Sequence, residues 1–148
     1  MNRLFVLSIA LLGLLFTFSA CGGSDSAPAP EDMGATINQY IKNDNYAEAI
    51  ELLNDADPAE VANLALLKEK VHLNYGLYLE YRGGDKDMRD RMTGALRQFI
   101  KTLQINADND KARAEIEQIM GIYQTMPNKS IPEDIITNLQ ELGYNYSN

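Results

Sequence analysis

The 148-residue chain contains one cysteine, Cys21, and one histidine, His72. A single thiol excludes an internal disulfide. One Cys and one His supply too few ligands for a zinc site, which takes three or four protein ligands. Basic residues are in the minority. The 13 Lys and Arg face 21 Asp and Glu, for a formal charge of −8 at pH 7. Phosphate backbones are bound by basic surfaces, so no nucleic-acid partner is expected. The same deficit argues against polybasic attachment to anionic lipid. Long apolar runs are also missing. The main apolar stretch, Leu4–Ala20, is interrupted by Ser8, Gly13, Thr17 and Ser19. It falls short of the roughly 20 residues that a spanning helix requires. Sustained alternation of apolar and polar residues is absent, so no strand is predicted.

What is present begins with the leader. Arg3 precedes the apolar stretch Leu4–Phe16, and the small pair Ser19-Ala20 follows it. That order is the order of a secretory signal peptide, here residues 1–20. The next residue is Cys21, and "FSAC" resembles the lipobox of bacterial lipoproteins, with Phe18 in place of the usual Leu. The resemblance implies cleavage before Cys21 and attachment of lipid, palmitate-type acyl chains included, to its thiol. Several acyl chains give stable anchoring at about 0.8 kcal/mol per buried methylene. Gly22 after the cysteine implies delivery to the outer membrane, facing the periplasm, if the cell is Gram-negative. The bland alternative is ordinary secretion with a free thiol. Residues 21–32 include Gly22-Gly23-Ser24-Asp25-Ser26 and Ala27-Pro28-Ala29-Pro30. They offer almost nothing to bury and read as a disordered tether.

Residues 33–148 read as one all-α domain. Tyr46, Ala49, Ile50, Leu53 and Ala56 recur at helical spacing, as do Val61, Leu64, Leu67, Val71, Tyr75 and Tyr78. Met88, Met92, Ala95, Phe99 and Leu103 form a third stripe, and Ala112, Ile116, Ile119, Tyr123 and Met126 a fourth. Each places one apolar face on a helix of period 3.6. Asp57-Pro58-Ala59-Glu60 has the order of an N-cap, a proline at the first helical position and a following acid, and Ser130-Ile131-Pro132-Glu133 repeats it. Arg82-Gly83-Gly84-Asp85, Met126-Pro127-Asn128 and Gly143 are stops. These signals predict helices over 33–43, 46–56, 58–81, 87–105, 109–126 and 132–142.

Two of the stretches look alike. "NYAEAIELL" carries Ala49 and then Leu53, and "MTGALRQFIKTLQI" carries Ala95 and then Phe99, 46 residues further on. "NYGLYLEYRGGD" places Gly76 before the second of them, and "LQINADNDKARAEI" follows it. This pattern resembles the tetratricopeptide repeat, although that repeat has a period of 34. Ile37 and Glu117 stand where the repeat has a small residue, and Ala107 where it has proline. The resemblance implies antiparallel helix pairs stacked as a short superhelix, with Gly76 where two helices touch. The helix over 132–142, with Ile135, Ile136, Leu139 and Leu142 on one side, would cap it. A non-repeat helical bundle would carry the same stripes.

Chemistry is sparse. No nucleophile–base pair stands out around His72, which reads as a packing residue, and no enzymatic activity or cofactor is expected. Asn106, Asp108, Asp110 and Glu117 have calcium-loop spacing, but Lys111 occupies the position that needs glycine. Asp108 and Asp110 read instead as a cap and a first-turn acid. The eight tyrosines read as packing residues with wet hydroxyls, with Tyr144 and Tyr146 folding back or meeting a partner. The repeat resemblance implies a groove lined by the first helix of each pair. By position that groove would hold Asn38 and Lys42, then Lys70, Leu73, Leu77, Glu80 and Tyr81, then Gln118. The function implied is a membrane-anchored scaffold or adaptor of the cell envelope that binds a protein or peptide. The alternative is an envelope lipoprotein that binds a small ligand between helices.

Overall fold

The computed structural model describes residues 33–83, 87–126 and 130–145. The predicted leader, Cys21 and the predicted tether lie outside these residues, as do Gly84, Asp85, Pro127, Asn128 and Tyr146. The chain is all-α. Among the described residues there are six helices and no strand: α1 (Met33–Lys42), α2 (Tyr46–Asp55), α3 (Leu64–Tyr81), α4 (Met88–Ile105), α5 (Asp110–Thr125) and α6 (Glu133–Glu141). None of them is long and apolar enough to cross a membrane.

The predicted stripes form the buried faces. Tyr46, Ala49 and Leu53 are buried on α2, and Ala95, Phe99 and Leu103 on α4. Ala112, Ile116, Ile119 and Tyr123 are buried on α5. Met88 departs from its stripe and is exposed at the start of α4. The α1–α2 turn closes through Asp44 in the left-handed region at φ 59°, which lets Asn45 N donate back to Tyr40 O and Asp44 N to Ile41 O. Asp tolerates that conformation better than most residues.

The start of α3 corrects the prediction. Asp57 does nucleate a turn: its Oδ1 accepts from Ala59 N at 2.8 Å, and its carbonyl accepts from Glu60 N and Val61 N. The turn does not propagate. Asn63 adopts φ 60°, and the helix begins at Leu64 rather than residue 58. A capping motif specifies where a helical turn begins and carries no information about how many turns follow. The tertiary packing decides that, with Val61 and Leu64 both buried against α1 and α2 on either side of the break. The second such motif also behaves differently. Ser130 makes no cap; Pro132 is the capping residue, and Ile131 is buried. Gly143 ends α6 at φ 89°, with Tyr144 N bonded to Leu139 O and Gly143 N to Gln140 O. This is the Schellman arrangement, in which the left-handed residue satisfies otherwise orphaned carbonyls. It turns Tyr144 back onto the core.

The core has two lobes that share α3 as a wall. One gathers Met33, Ile37, Tyr46, Ala49, Leu53 and Val71 from α1, α2 and the first half of α3. The other gathers Leu79 with the buried faces of α4, α5 and α6. Tyr75 and Tyr78 touch both. Tyr46 stacks on Tyr75 with ring centroids 4.8 Å apart and lies tilted against Tyr78 at 5.3 Å. Arg82 covers the Tyr78 ring and pairs with Asp44 at 2.7 Å. Most tyrosines are packing residues here, as expected. At the α3–α4 crossing, Gly76 presses directly on the Phe99 ring. A Cβ added to Gly76 would lie 2.5 Å from Phe99 Cε1. α6 lies against α4, burying Ile131, Ile135, Ile136 and Leu139.

Candidate functional site

The face formed by α1, α3 and α5 carries the predicted groove residues, and the structure joins them in two groups. At one end, Lys70 Nζ on α3 donates to Asn38 Oδ1 on α1. At the other, Gln118 Nε2 on α5 donates to Glu80 Oε1 at 2.8 Å and to the Tyr81 hydroxyl at 3.2 Å, both on α3. Lys42 is exposed at the end of α1. Leu73 and Leu77 are half-buried and pack against the core of α4 and α5, so they line the floor of this face rather than a free surface. Tyr81 is 57% exposed.

Two residues that the sequence reading did not select complete the second group. Glu115 on α5 is only 3% exposed, and its Oε2 accepts from the Tyr81 hydroxyl at 2.8 Å. Its Oε1 pairs with Lys111 one turn earlier. The group is therefore Glu80, Tyr81, Lys111, Glu115 and Gln118, spread over two helices. A signal for Glu115 was present: it falls among Ala112, Ile116, Ile119 and Tyr123, on the buried face of α5. An acid at an apolar register position needs partners, because an unpaired buried charge is strongly unfavourable.

The two carboxyl groups respond to this setting in opposite ways. Burial, then the charge of Glu115 and a hydrogen bond to it, push Glu80 up to about 7. Burial also acts to raise Glu115, but hydrogen bonds from Lys111, Tyr81 and Glu80 outweigh it and hold that carboxyl low. The hydrogen bond to Glu115 raises both the Tyr81 phenol and the Lys111 ammonium.

A shallow depression of about 320 Å³ lies at the outer end of α3, lined by Leu66, Leu67, Glu69, Lys70 and Leu73. Glu69 Oε1 accepts from Asn106 Nδ2 at 2.8 Å and from Asn109 Nδ2 at 2.7 Å. Those contacts explain the Asn- and Asp-rich stretch with calcium-loop spacing. Asn106 Oδ1 bonds Asp108 N within the turn, and Asn109, not Asp108, caps α5 by accepting from Ala112 N at 2.8 Å. Asp110 is a first-turn acid as expected. Among the described residues, no three His, Cys, Asp or Glu side chains are placed to hold a metal ion.

His72 is half-buried between α3 and α4, where its Nδ1–H donates to Gln98 Oε1 at 2.8 Å. Burial lowers its proton affinity against the pull of that hydrogen bond, and Lys101 and Lys68 lower it further. The ring packs between α3 and α4. No family model, curated protein or solved structure matches the chain. The functional reading therefore rests on the residues themselves.

Proposed function

We propose that this protein is a lipoprotein of the bacterial cell envelope, anchored through Cys21, whose helical domain binds a protein or peptide partner and carries out no chemistry. In this reading α1–α2 and α3–α4 are stacked pairs of tetratricopeptide type, α5 begins a partial third, and α6 caps the stack by packing on α4. The observation that carries it is the shared face of α1, α3 and α5, where Asn38 meets Lys70 and Glu80 and Tyr81 meet Gln118 across successive first helices. Contacts between next-but-one helices, α1 with α3 and α4 with α6, also support a stack. So does the glycine at the α3–α4 crossing, since close approach of two backbones requires a small residue.

Two variants test the reading separately. Cys21→Ser releases the protein from the membrane fraction and removes the mass of the lipid. A variant that stays membrane-bound with unchanged mass rules out the anchor. For the groove, Lys42→Glu with Tyr81→Ala changes two exposed side chains and spares the half-buried Leu77. Crosslinking in the native envelope, read by mass spectrometry, yields at least one partner that the double variant loses. The apolar depression beside Leu66 favours a second reading, a small-ligand site, since its volume is at the low end for ligand pockets. Ligand-dependent stabilisation together with an unchanged crosslinking pattern would select it.

A further inference from the structure

We propose that Glu80 and Glu115 share a single proton, and that this proton forms a latch between α3 and α5 which weakens when it is lost. The geometry starts from Glu80, which is 6% exposed. Its Oε1 is taken by Gln118, whereas among the described residues no donor reaches the buried Oε2. A carboxylate is acceptor-only, so an ionised Glu80 would hold a buried charge with one oxygen unsatisfied. A protonated Oε2 becomes a donor, and the Glu115 carboxyl is the partner within hydrogen-bonding reach of Glu80. Glu115 has already gathered the donors that an anion needs, from Lys111 and Tyr81. The result is one neutral and one charged carboxyl, the arrangement adopted when two acids cannot both ionise.

The surrounding groups fit this assignment. From α3 itself, Tyr81 donates to Glu115. From α5, Lys111 neutralises Glu115, and Gln118 donates to Glu80. From α4, Arg91 reaches the same turn but gives its guanidinium to the main-chain carbonyls of Leu79 and Glu80, not to the carboxyl. On the α2 side, Arg82 is engaged by Asp44. The upward shift of Glu80 to about 7 agrees with the shared proton. Its sign sets the pH dependence. Above the ordinary carboxylate range the unfolded chain has released this proton and the folded chain has not. Stability therefore falls as pH rises from about 5 to about 7 and then levels off. His72 acts in the opposite direction, since its lowered affinity makes the unfolded chain the better proton binder near pH 6. The contribution of Glu80 is thus the difference between two proteins, not one raw profile. The latch does not depend on the proposed partner groove, although Glu80, Tyr81 and Gln118 belong to both.

The test compares urea midpoints of the full-length protein and Glu80→Gln between pH 4.5 and 8.5. The glutamine amide imitates the neutral acid and can donate to Glu115. Relative to wild type, Glu80→Gln gains stability steadily as pH rises. The ratio of their unfolding constants changes by up to about tenfold per pH unit between 5 and 7, then becomes constant. Parallel profiles overturn the proposal. A direct readout guards against a variant that fails to fold: the carboxyl-carbon NMR shift of Glu80 in the wild-type protein titrates with a midpoint near 7. A midpoint in the ordinary carboxylate range overturns the proposal equally.

Discussion

Phe99→Ala lowers the free energy of unfolding by about 3–5 kcal/mol, the range for removing a fully buried aromatic ring. Phe99 is 0% exposed and lies at the centre of the larger lobe. Its ring also meets Gly76 across the α3–α4 crossing. The two positions therefore form one unit, and a double-mutant cycle exposes it. Gly76→Ala alone brings a methyl to within 2.5–2.9 Å of three ring carbons. Overpacking of this kind costs about 1–3 kcal/mol, against a gain of up to about 1 kcal/mol in helix propensity. In a Phe99→Leu background the shorter side chain leaves room, and Gly76→Ala becomes neutral or stabilising. Urea unfolding of the four proteins gives a coupling energy of at least about 1 kcal/mol. Strict additivity would mean that the helices separate to admit the methyl instead of resisting it.

Ending the chain at Met126 removes α6 and is expected to have a larger effect than any single substitution. Ile131, Ile135, Ile136 and Leu139 all lie in the main core cluster, each at most 5% exposed. Leu139→Ala alone is worth about 2–5 kcal/mol, and each kcal/mol lowers the midpoint by about 4 °C or more in a domain of this size. The truncated protein therefore loses at least about 10 °C in thermal midpoint, measured by circular dichroism, or loses cooperative unfolding altogether. The exposed Arg97–Asp134 pair contributes little to this, since solvent screens an exposed ion pair. An unchanged midpoint would show that the buried face of α6 is not needed by the rest of the core.

The local order of the chain was legible because it rests on short-range chemistry. Stripes of period 3.6 marked the helices, and their buried members are largely those the stripes contained, from Ala49 and Leu53 on α2 to Ile135 and Leu139 on α6. Gly143 signalled its left-handed stop because few other residues adopt that conformation readily. Gly76 was singled out by its place before Ala95 and Phe99. Four readings fell to longer-range effects. The turn at Asp57 stops where Val61 and Leu64 are drawn into the α1–α2 lobe. Ser130 gives up its capping role as Ile131 is buried. Met88 is left in solvent at the start of α4. Asn109 displaces Asp108 as the cap of α5, where its amide can also reach Glu69.

The sequence by itself determined an all-α chain, the six helices of the described residues and most of the side chains they bury. Hydrophobic periodicity and turn propensity act over a few residues and need no knowledge of the partner element. Only the tertiary structure decided that Glu80 and Glu115 meet. They are 35 positions apart and lie on different helices; the acid at an apolar register position of α5 is visible in the sequence, but its partner on α3 is not. The energy of a buried carboxyl depends on what faces it and on how much water is excluded, and both are properties of the packed helices.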